Sequence, residues 1–308
     1  MTENELAIVR RAYAKQIMAA DQPVISQQVE DAFAAVPREH FLGPGPWPIF
    51  RFWQGGYMAT PSADPVYLYT NDFVGIDPER HINNGQPSLH AHLLACAAPD
   101  EGDHVVHVGA GVGYYSAIMA EMVASSGQVT AIEYEPDLAA RANENLSGYT
   151  NVSVIQGDGA SVPFEPADVI YVNAGTTKPA DSWLDRLRDG GRLILPLTTN
   201  KGFRSAGPGP INRRGAVFLI TRQGPDYLAR WVSPVAIYPC ASMRDEASEQ
   251  ALAAAFEKGD WRRVTRLYRT ADLPEEQCWL RSEGWCLTYE EPLASAAHRG
   301  PQCCMHDA

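Results

Sequence analysis

The chain is predicted to fold as an α/β protein built on a doubly wound, mostly parallel sheet. Three observations carry that expectation. Between His104 and Leu197, short β-branched runs alternate with helical stretches, which is the rhythm of strand–helix–strand units. The runs are apolar throughout, as in strands covered on both faces. The chain has 308 residues, 45% of them hydrophobic and 20% charged, enough to bury a core in one large domain, or one domain with an extension.

The elements follow in order. Glu3 to Val36 reads as helix, with Val29, Ala32, Phe33 and Val36 on one face and Pro37 as its stop. From Gly43 to Pro65 the chain is rich in Gly, Pro and aromatics (GPGPWPIFRFWQGG) and reads as irregular structure covering a core edge. Trp47, Phe50, Phe52 and Trp53 in it are candidates for an aromatic wall against a peptide. SLHAHLLACAA (Ser88–Ala98) is a helix. Strands follow at 104–108, 128–133, 152–156, 168–174 and 192–197, with helices near 115–125, 136–146 and 180–187. AVFLITRQG and YLARWVSPVAIYPC are two more strands about a turn at Gln223–Pro225, expected as an antiparallel edge. Beyond Ala241 come a helix at Glu246–Lys258 and two candidate strands, RVTRLYR and QCWLRSEGWCLTYEE. The final ~15 residues are expected to be disordered. The organisation is thus an N-terminal helix and aromatic-rich cap segment (1–78), the α/β domain (79–240), and a C-terminal extension of unassigned role (241–308).

Charge and composition exclude several classes. Lys and Arg total 25 and Asp and Glu 37, a net charge of −12, so no basic face for nucleic acid is expected. No apolar run approaches the length of a membrane-spanning helix, and the polar start MTENELAIVRR does not read as a signal peptide. The six cysteines (Cys96, Cys240, Cys278, Cys286, Cys303 and Cys304) form no CxxC. Reduced thiols in the cytoplasm and no metal site are expected. His90 and His92, two apart on a helix, diverge, and Cys303-Cys304-Met305-His306 reads as tail.

The strongest motif is HVVHVGAGVGYYSA, a strand running into Gly109-Ala110-Gly111-Val112-Gly113 and then a helix. Glycines let the backbone turn tightly and approach a ligand closely, and the helix N-terminus suits a carboxylate or phosphate. A dinucleotide site wants G-x-G-x-x-G, but position 114 is Tyr. The next strand ends in Glu133, followed by Tyr134, where an acid can bind both ribose hydroxyls. Asp158, in Gly157-Asp158-Gly159, closes the third strand, placed to accept from an adenine amino group. Together these favour S-adenosyl-L-methionine (AdoMet) over NAD. Gly109, Ala110, Gly111, Gly113, Tyr114, Glu133, Tyr134, Asp158 and Gly159 are the candidate cofactor residues.

With these residues in view, the chain resembles the protein-L-isoaspartate O-methyltransferases. VPREHFLG, NGQPSLHAHLLA, VVHVGAGVGYYSA, VIQGDG and ADVIYVNAGTTKPADSWLDRLRDGGRLILPL carry the likeness, over about Gln28 to Cys240. The glycine loop identifies only the class; the GQPS segment points to the family. The resemblance implies a Rossmann-like class I methyltransferase fold and AdoMet as cofactor. It also implies methylation of the abnormal carboxylate formed when Asn deamidates or Asp isomerises, a repair of protein substrates. Asn84, Gly85, Gln86 and Pro87 would line the approach to the methyl group, with Asn173 at the end of the fourth strand. The family's hydroxyl before Q-P, which helps hold the substrate carboxylate, is Gly85 here. The amide groups of Asn83 and Asn84 are candidate substitutes, and Gly85→Ser is expected to show whether the missing hydroxyl limits activity. The departure leaves two alternatives: a paralogue methylating ordinary Asp or another carboxylate, or an AdoMet-binding module with altered catalysis. A monomer is expected. A carboxylate is ionised at pH 7, so no nucleophile–base pair is required, and none is seen.

Overall fold

The computed structural model describes residues 1–20, 26–200, 215–270 and 272–289. In chain order they form α1 (Glu3–Ala20), α2 (Gln27–Ala35), β1 (Pro48–Arg51), β2 (Gly56–Ala59), β3 (Gly75–Asp77), β4 (Ile82–Asn83), α3 (Pro87–Ala97), β5 (His104–Val108), α4 (Tyr114–Val123), β6 (Gln128–Glu133), α5 (Pro136–Asn145) and β7 (Val152–Gln156). Then come β8 (Ala167–Val172), α6 (Asp181–Arg186), β9 (Leu187–Thr198), β10 (Gly215–Gln223), β11 (Asp226–Pro234), α7 (Glu246–Lys258), β12 (Arg266–Tyr268), β13 (Cys278–Ser282) and β14 (Trp285–Thr288). The chain divides into two compact units. One is Met1–Asp103 with Ala110–Gly157; the other is His104–Gly109 with the described residues from Asp158 to Tyr289.

In the first unit, the helix expected over Glu3–Val36 is two helices. Residues 21–25 lie outside the described residues. Ser26 starts α2 afresh, its hydroxyl accepting from the Val29 N–H at 3.3 Å. The stripe read from the sequence is buried: Val29, Phe33 and Val36 have no exposed surface, and Phe33 meets Tyr114 of α4 edge-on at 6.4 Å. Arg38 is also fully buried. Its guanidinium donates to the carbonyls of Leu68 (2.5 Å), Thr70 (3.1 Å) and Asp72 (3.3 Å) and lies over the rings of Tyr13 and Tyr114. A buried charge needs such partners, and here backbone carbonyls supply them, fixing the segment that leads to β3. The stretch expected to be irregular holds an antiparallel hairpin, β1 with β2, paired from Pro48↔Ala59 to Arg51↔Gly56. Gly55, at φ +66°, turns the chain there. β6 and β7 run parallel, Val129↔Val152 to Glu133↔Gln156, which sets Glu133 at a carboxyl end.

In the second unit β5, β8 and β9 are parallel neighbours, and β10 to β14 continue the sheet antiparallel in the order β9-β10-β11-β12-β14-β13. The doubly wound class stands, with an antiparallel part of five strands where the sequence indicated two. The excess comes from the segment after 241. QCWLRSEGWCLTYEE is a hairpin, turned at Gly284 with φ +76°. α7 has the expected bounds because Asp245 and Ser248 form a capping box, the Ser248 N–H donating to Asp245 at 2.8 Å. Trp279 joins α7 to the sheet, 5.5 Å from Phe256 and 5.4 Å from Phe218. His107, buried in β5, is held neutral, burial pushing it down to about 3. The expected disordered tail, with Cys303-Cys304-Met305-His306, lies outside the described residues. No described helix is long and apolar enough to cross a membrane.

Candidate functional site

The first unit carries most of the residues singled out from the sequence. The Ala110 N–H donates to the Ile132 carbonyl at 3.1 Å, so the loop after β5 lies along the end of β6. Gly111 and Gly113 sit at φ +58° and +91°, where a side chain is strained. A Cβ on Gly113 would strike Leu146 at 2.7 Å, whereas one on Gly111 would meet nothing within 4 Å. Gly113 is thus required by packing, and Gly111 faces open space. α4 starts on Gly113 with no side-chain cap, and the positive end of a helix favours an anion.

Glu133 is the ordered acid of this loop. It is only 6% exposed. Its Oε2 accepts from the Gly111 N–H at 2.6 Å and its Oε1 from the Glu135 N–H at 3.0 Å. Each carboxylate oxygen has two acceptor positions, so the group keeps acceptor capacity for a ribose hydroxyl. Burial raises the Glu133 carboxyl above its ordinary value, against the backbone N–H groups of Glu135, Gly111 and Tyr134, which lower it. The open cradle at Gly111 beside this two-oxygen acceptor fits the ribose of an adenosyl group. Tyr134 is exposed, and its carbonyl accepts from Gln156. Tyr114 is 1% exposed and packs on Phe33 and Phe41, so its side chain belongs to the core and its backbone to the start of α4.

The second cluster in this unit leads into α3. Asn83 and Asn84, equivalent in sequence, are distinct in structure. The Asn83 Oδ1 accepts from the Gly85 N–H at 2.8 Å, closing an Asx turn. The Asn84 N–H donates to the Val74 carbonyl at 2.8 Å, and its side chain is 6% exposed, with Nδ2 buried and unpaired among the described residues. Gly85 has φ +68°, and a Cβ there would lie 2.3 Å from His90 Nε2. The imidazole of His90, stacked on Tyr115 at 3.7 Å, therefore takes the space of the missing side chain. Gln86 caps α3 through its backbone carbonyl, which accepts from the His90 N–H, and Pro87 opens the helix. Arg80 ties the β3–β4 turn to the start of α5, pairing with Glu135 at 2.6 Å and Asp137 at 3.0 Å.

The second unit holds the rest. Gly109, at φ +79°, passes close to the Asn173 carbonyl, and Asn173 returns two bonds, N–H to Val108 O at 2.8 Å and Nδ2 to Gly109 O at 3.3 Å. Gly159 is needed for close packing: a Cβ would lie 2.4 Å from Val108, and the Gly159 carbonyl accepts from the Trp183 indole at 2.8 Å. Asp158 Oδ1 accepts from the Ala160 N–H at 3.0 Å and from the Ser242 hydroxyl at 2.6 Å. Neither Ser242 nor His90 had a signal in the sequence as a site residue.

The model of the protein-L-isoaspartate(D-aspartate) O-methyltransferase family matches residues 14–205. The protein-L-isoaspartate O-methyltransferase of Thermotoga maritima is 31% identical over 205 residues, 65% of this chain and 57% of that protein. That of Methanococcus aeolicus is 40% identical over 148 residues, 46% of this chain and 68% of its own length. Among solved structures, a protein-L-isoaspartate O-methyltransferase superposes with a TM-score of 0.60 at 26% identity, over 76% of this chain and 66% of that one. A beta-aspartate methyltransferase from Plasmodium falciparum, in complex with S-adenosyl-L-homocysteine, gives 0.56 at 17% identity, over 75% and 97% of the two chains, and so shares the fold. The chain thus spans little more than half the length of the Thermotoga relative. A family model that covers the glycine loop, the Gly85-Gln86-Pro87 segment and the strand ends of both units places this chain in the protein-L-isoaspartate(D-aspartate) O-methyltransferase family.

Proposed function

We propose that the protein is an AdoMet-dependent carboxyl O-methyltransferase acting on isoaspartyl residues of protein substrates, as a cytoplasmic monomer. The observation that carries the reading is Glu133, a buried acid whose two oxygens are oriented by backbone N–H groups beside an open glycine cradle. Glu133 holds the ribose hydroxyls, the uncapped start of α4 takes the amino-acid carboxylate, and Asp158 with Gly159 takes the adenine. Bound there, AdoMet supplies an electrophilic methyl group on a sulfonium. The residues of this chain position the acceptor; they do not need to deprotonate it, because a carboxylate is ionised at neutral pH. Orientation of this kind contributes about 7–11 kcal/mol to a two-reactant step. Asn84 is the donor for the acceptor carboxylate. Its unpaired buried amide costs about 1–3 kcal/mol, which an incoming carboxylate oxygen offsets.

Two measurements test this. With methyl-labelled AdoMet and matched peptides carrying Asp or isoAsp at one position, label is expected on the isoAsp peptide alone. Label on the Asp peptide, or on neither while AdoMet still binds, sinks the assignment. Asn84→Leu is expected to lose about tenfold or more in methyl transfer with an unchanged or raised melting temperature, since it removes an unpaired donor. A wild-type rate would remove Asn84 from the substrate site.

A further inference from the structure

Residues beyond the family-matched segment reach one of the residues assigned to the cofactor. After β11 the chain runs alongside the carboxyl end of β8. The Gly175 N–H donates to the Tyr238 carbonyl at 2.7 Å, and the Cys240 N–H returns to the Gly175 carbonyl at 2.8 Å. Farther on, the Thr177 N–H and hydroxyl both donate to the Met243 carbonyl, at 3.0 and 3.1 Å. Arg244 adds bonds to the Gly175 carbonyl at 2.9 Å and to Thr198 at 3.0 Å. Gly175 leaves room at this corner: a Cβ on it would lie 2.2 Å from Thr198 Oγ1 and 3.2 Å from the side chain of Ile237.

Ser242 lies between the two anchored points, Cys240 and Met243. The ordering of its backbone is met by those bonds and not by its own side chain. Its hydroxyl donates to Asp158 Oδ1 at 2.6 Å, across 84 residues of sequence. The Ala160 N–H donates to that same oxygen. Two donors on one oxygen fix the rotation of the carboxylate and leave Oδ2 as the oxygen without a partner among the described residues.

We propose that Ser242 is a positioning residue for nucleobase selection: it locks Asp158 so that Oδ2 is presented as an acceptor to the 6-amino group of adenine. This rests on the reading that Asp158 holds the adenine. A base with a 6-oxo group would set two acceptors against each other, so the lock favours adenosyl over inosyl ligands. A carboxylate free to turn relaxes that preference.

The test is calorimetric binding of S-adenosyl-L-homocysteine and its inosyl analogue to the wild type, Asp158→Ala, Ser242→Ala and Ser242→Thr. Asp158→Ala is expected to weaken the adenosyl ligand about tenfold or more, and Ser242→Ala roughly three- to tenfold, the size of one ordinary hydrogen bond. In Ser242→Ala the adenosyl-over-inosyl preference shrinks, and Ser242→Thr, which keeps the hydroxyl, stays close to wild type. If Asp158→Ala weakens binding and Ser242→Ala does not, the positioning role is overturned and the adenine site stands. If Ser242→Ala weakens both ligands equally, the residue is merely structural and the proposal is overturned. If Asp158→Ala binds as wild type, the adenine assignment fails, and the role of Ser242 fails with it.

Discussion

Glu133→Ala is expected to abolish S-adenosyl-L-homocysteine binding at ordinary protein concentrations, a loss of about a hundredfold or more. Two hydrogen bonds to an ionised carboxylate contribute about 1.5–3 kcal/mol each, and every 1.4 kcal/mol is about tenfold in affinity. The variant also leaves the Gly111 and Glu135 N–H groups without their acceptor, so the cradle loses shape along with charge. The wild type carries its own control. Burial holds the Glu133 carboxyl above the ordinary glutamate value. As pH falls through that raised value the group gains a proton and gives up acceptor capacity. Binding is therefore expected to weaken at a higher pH than an ordinary glutamate allows. The linkage in the free protein has the opposite sense. The folded state holds this proton more tightly than the unfolded one, so the group favours folding below the ordinary value and that contribution is lost as pH rises through the raised one. Calorimetric titration of binding and thermal denaturation, each run from below the ordinary glutamate value up to neutral pH, check the two arms. Retained affinity in Glu133→Ala, or affinity flat across the acid limb, contradicts the ribose assignment.

Gly85→Ser is expected to lower the melting temperature by roughly 5–15 °C and to reduce methyl transfer, the reverse of a restored hydroxyl. A residue with a side chain pays about 1–2 kcal/mol for the left-handed conformation that φ +68° demands here. Its Cβ would also lie 2.3 Å from His90 Nε2. His90 is 2% exposed and stacked on Tyr115, so it yields only by disturbing the packing, at about 1–3 kcal/mol more; a kilocalorie is worth about 2–4 °C in chains approaching this size. Removing the obstacle should recover part of the loss, so Gly85→Ser combined with His90→Ala is expected to melt above Gly85→Ser alone. Thermal denaturation of the four proteins in this cycle measures it. A fully stable Gly85→Ser with raised activity on isoAsp peptides would show that His90 does not occupy that space.

What the sequence made legible was local or periodic. The strand ends at Glu133 and Asp158 and the helix over Glu246–Lys258 follow from apolar rhythm, glycine placement and capping. The single helix expected over Glu3–Val36 is two because apolar period alone does not register the fresh start that the Ser26 cap makes. The β1–β2 hairpin was hidden because its Gly, Pro and aromatic residues blur alternation. The antiparallel part is larger than expected because the strands read after 241 carry no local signal of which sheet they join, and the Glu283-Gly284 turn splits one of them in two. At the site, Asn83 and Asn84 are the same residue type in one run before Gly85; only the Asx turn separates the committed amide from the unpaired one. Ser242 was out of reach, since what brings it to Asp158 is the pairing of Cys240 with Gly175.

The Asx turn at Asn83 has a chemical consequence for the lifetime of the protein itself. Asn84-Gly85 is an asparagine–glycine step, the sequence at which asparagine ages most readily, because no side chain shields the glycine nitrogen from attacking the neighbouring amide carbon. In this fold that nitrogen already donates its proton to Asn83 Oδ1, and the Asn84 backbone is pinned to Val74. The attack requires both to be released. The turn that positions the unpaired amide thus also protects it from the spontaneous damage to which its sequence is prone.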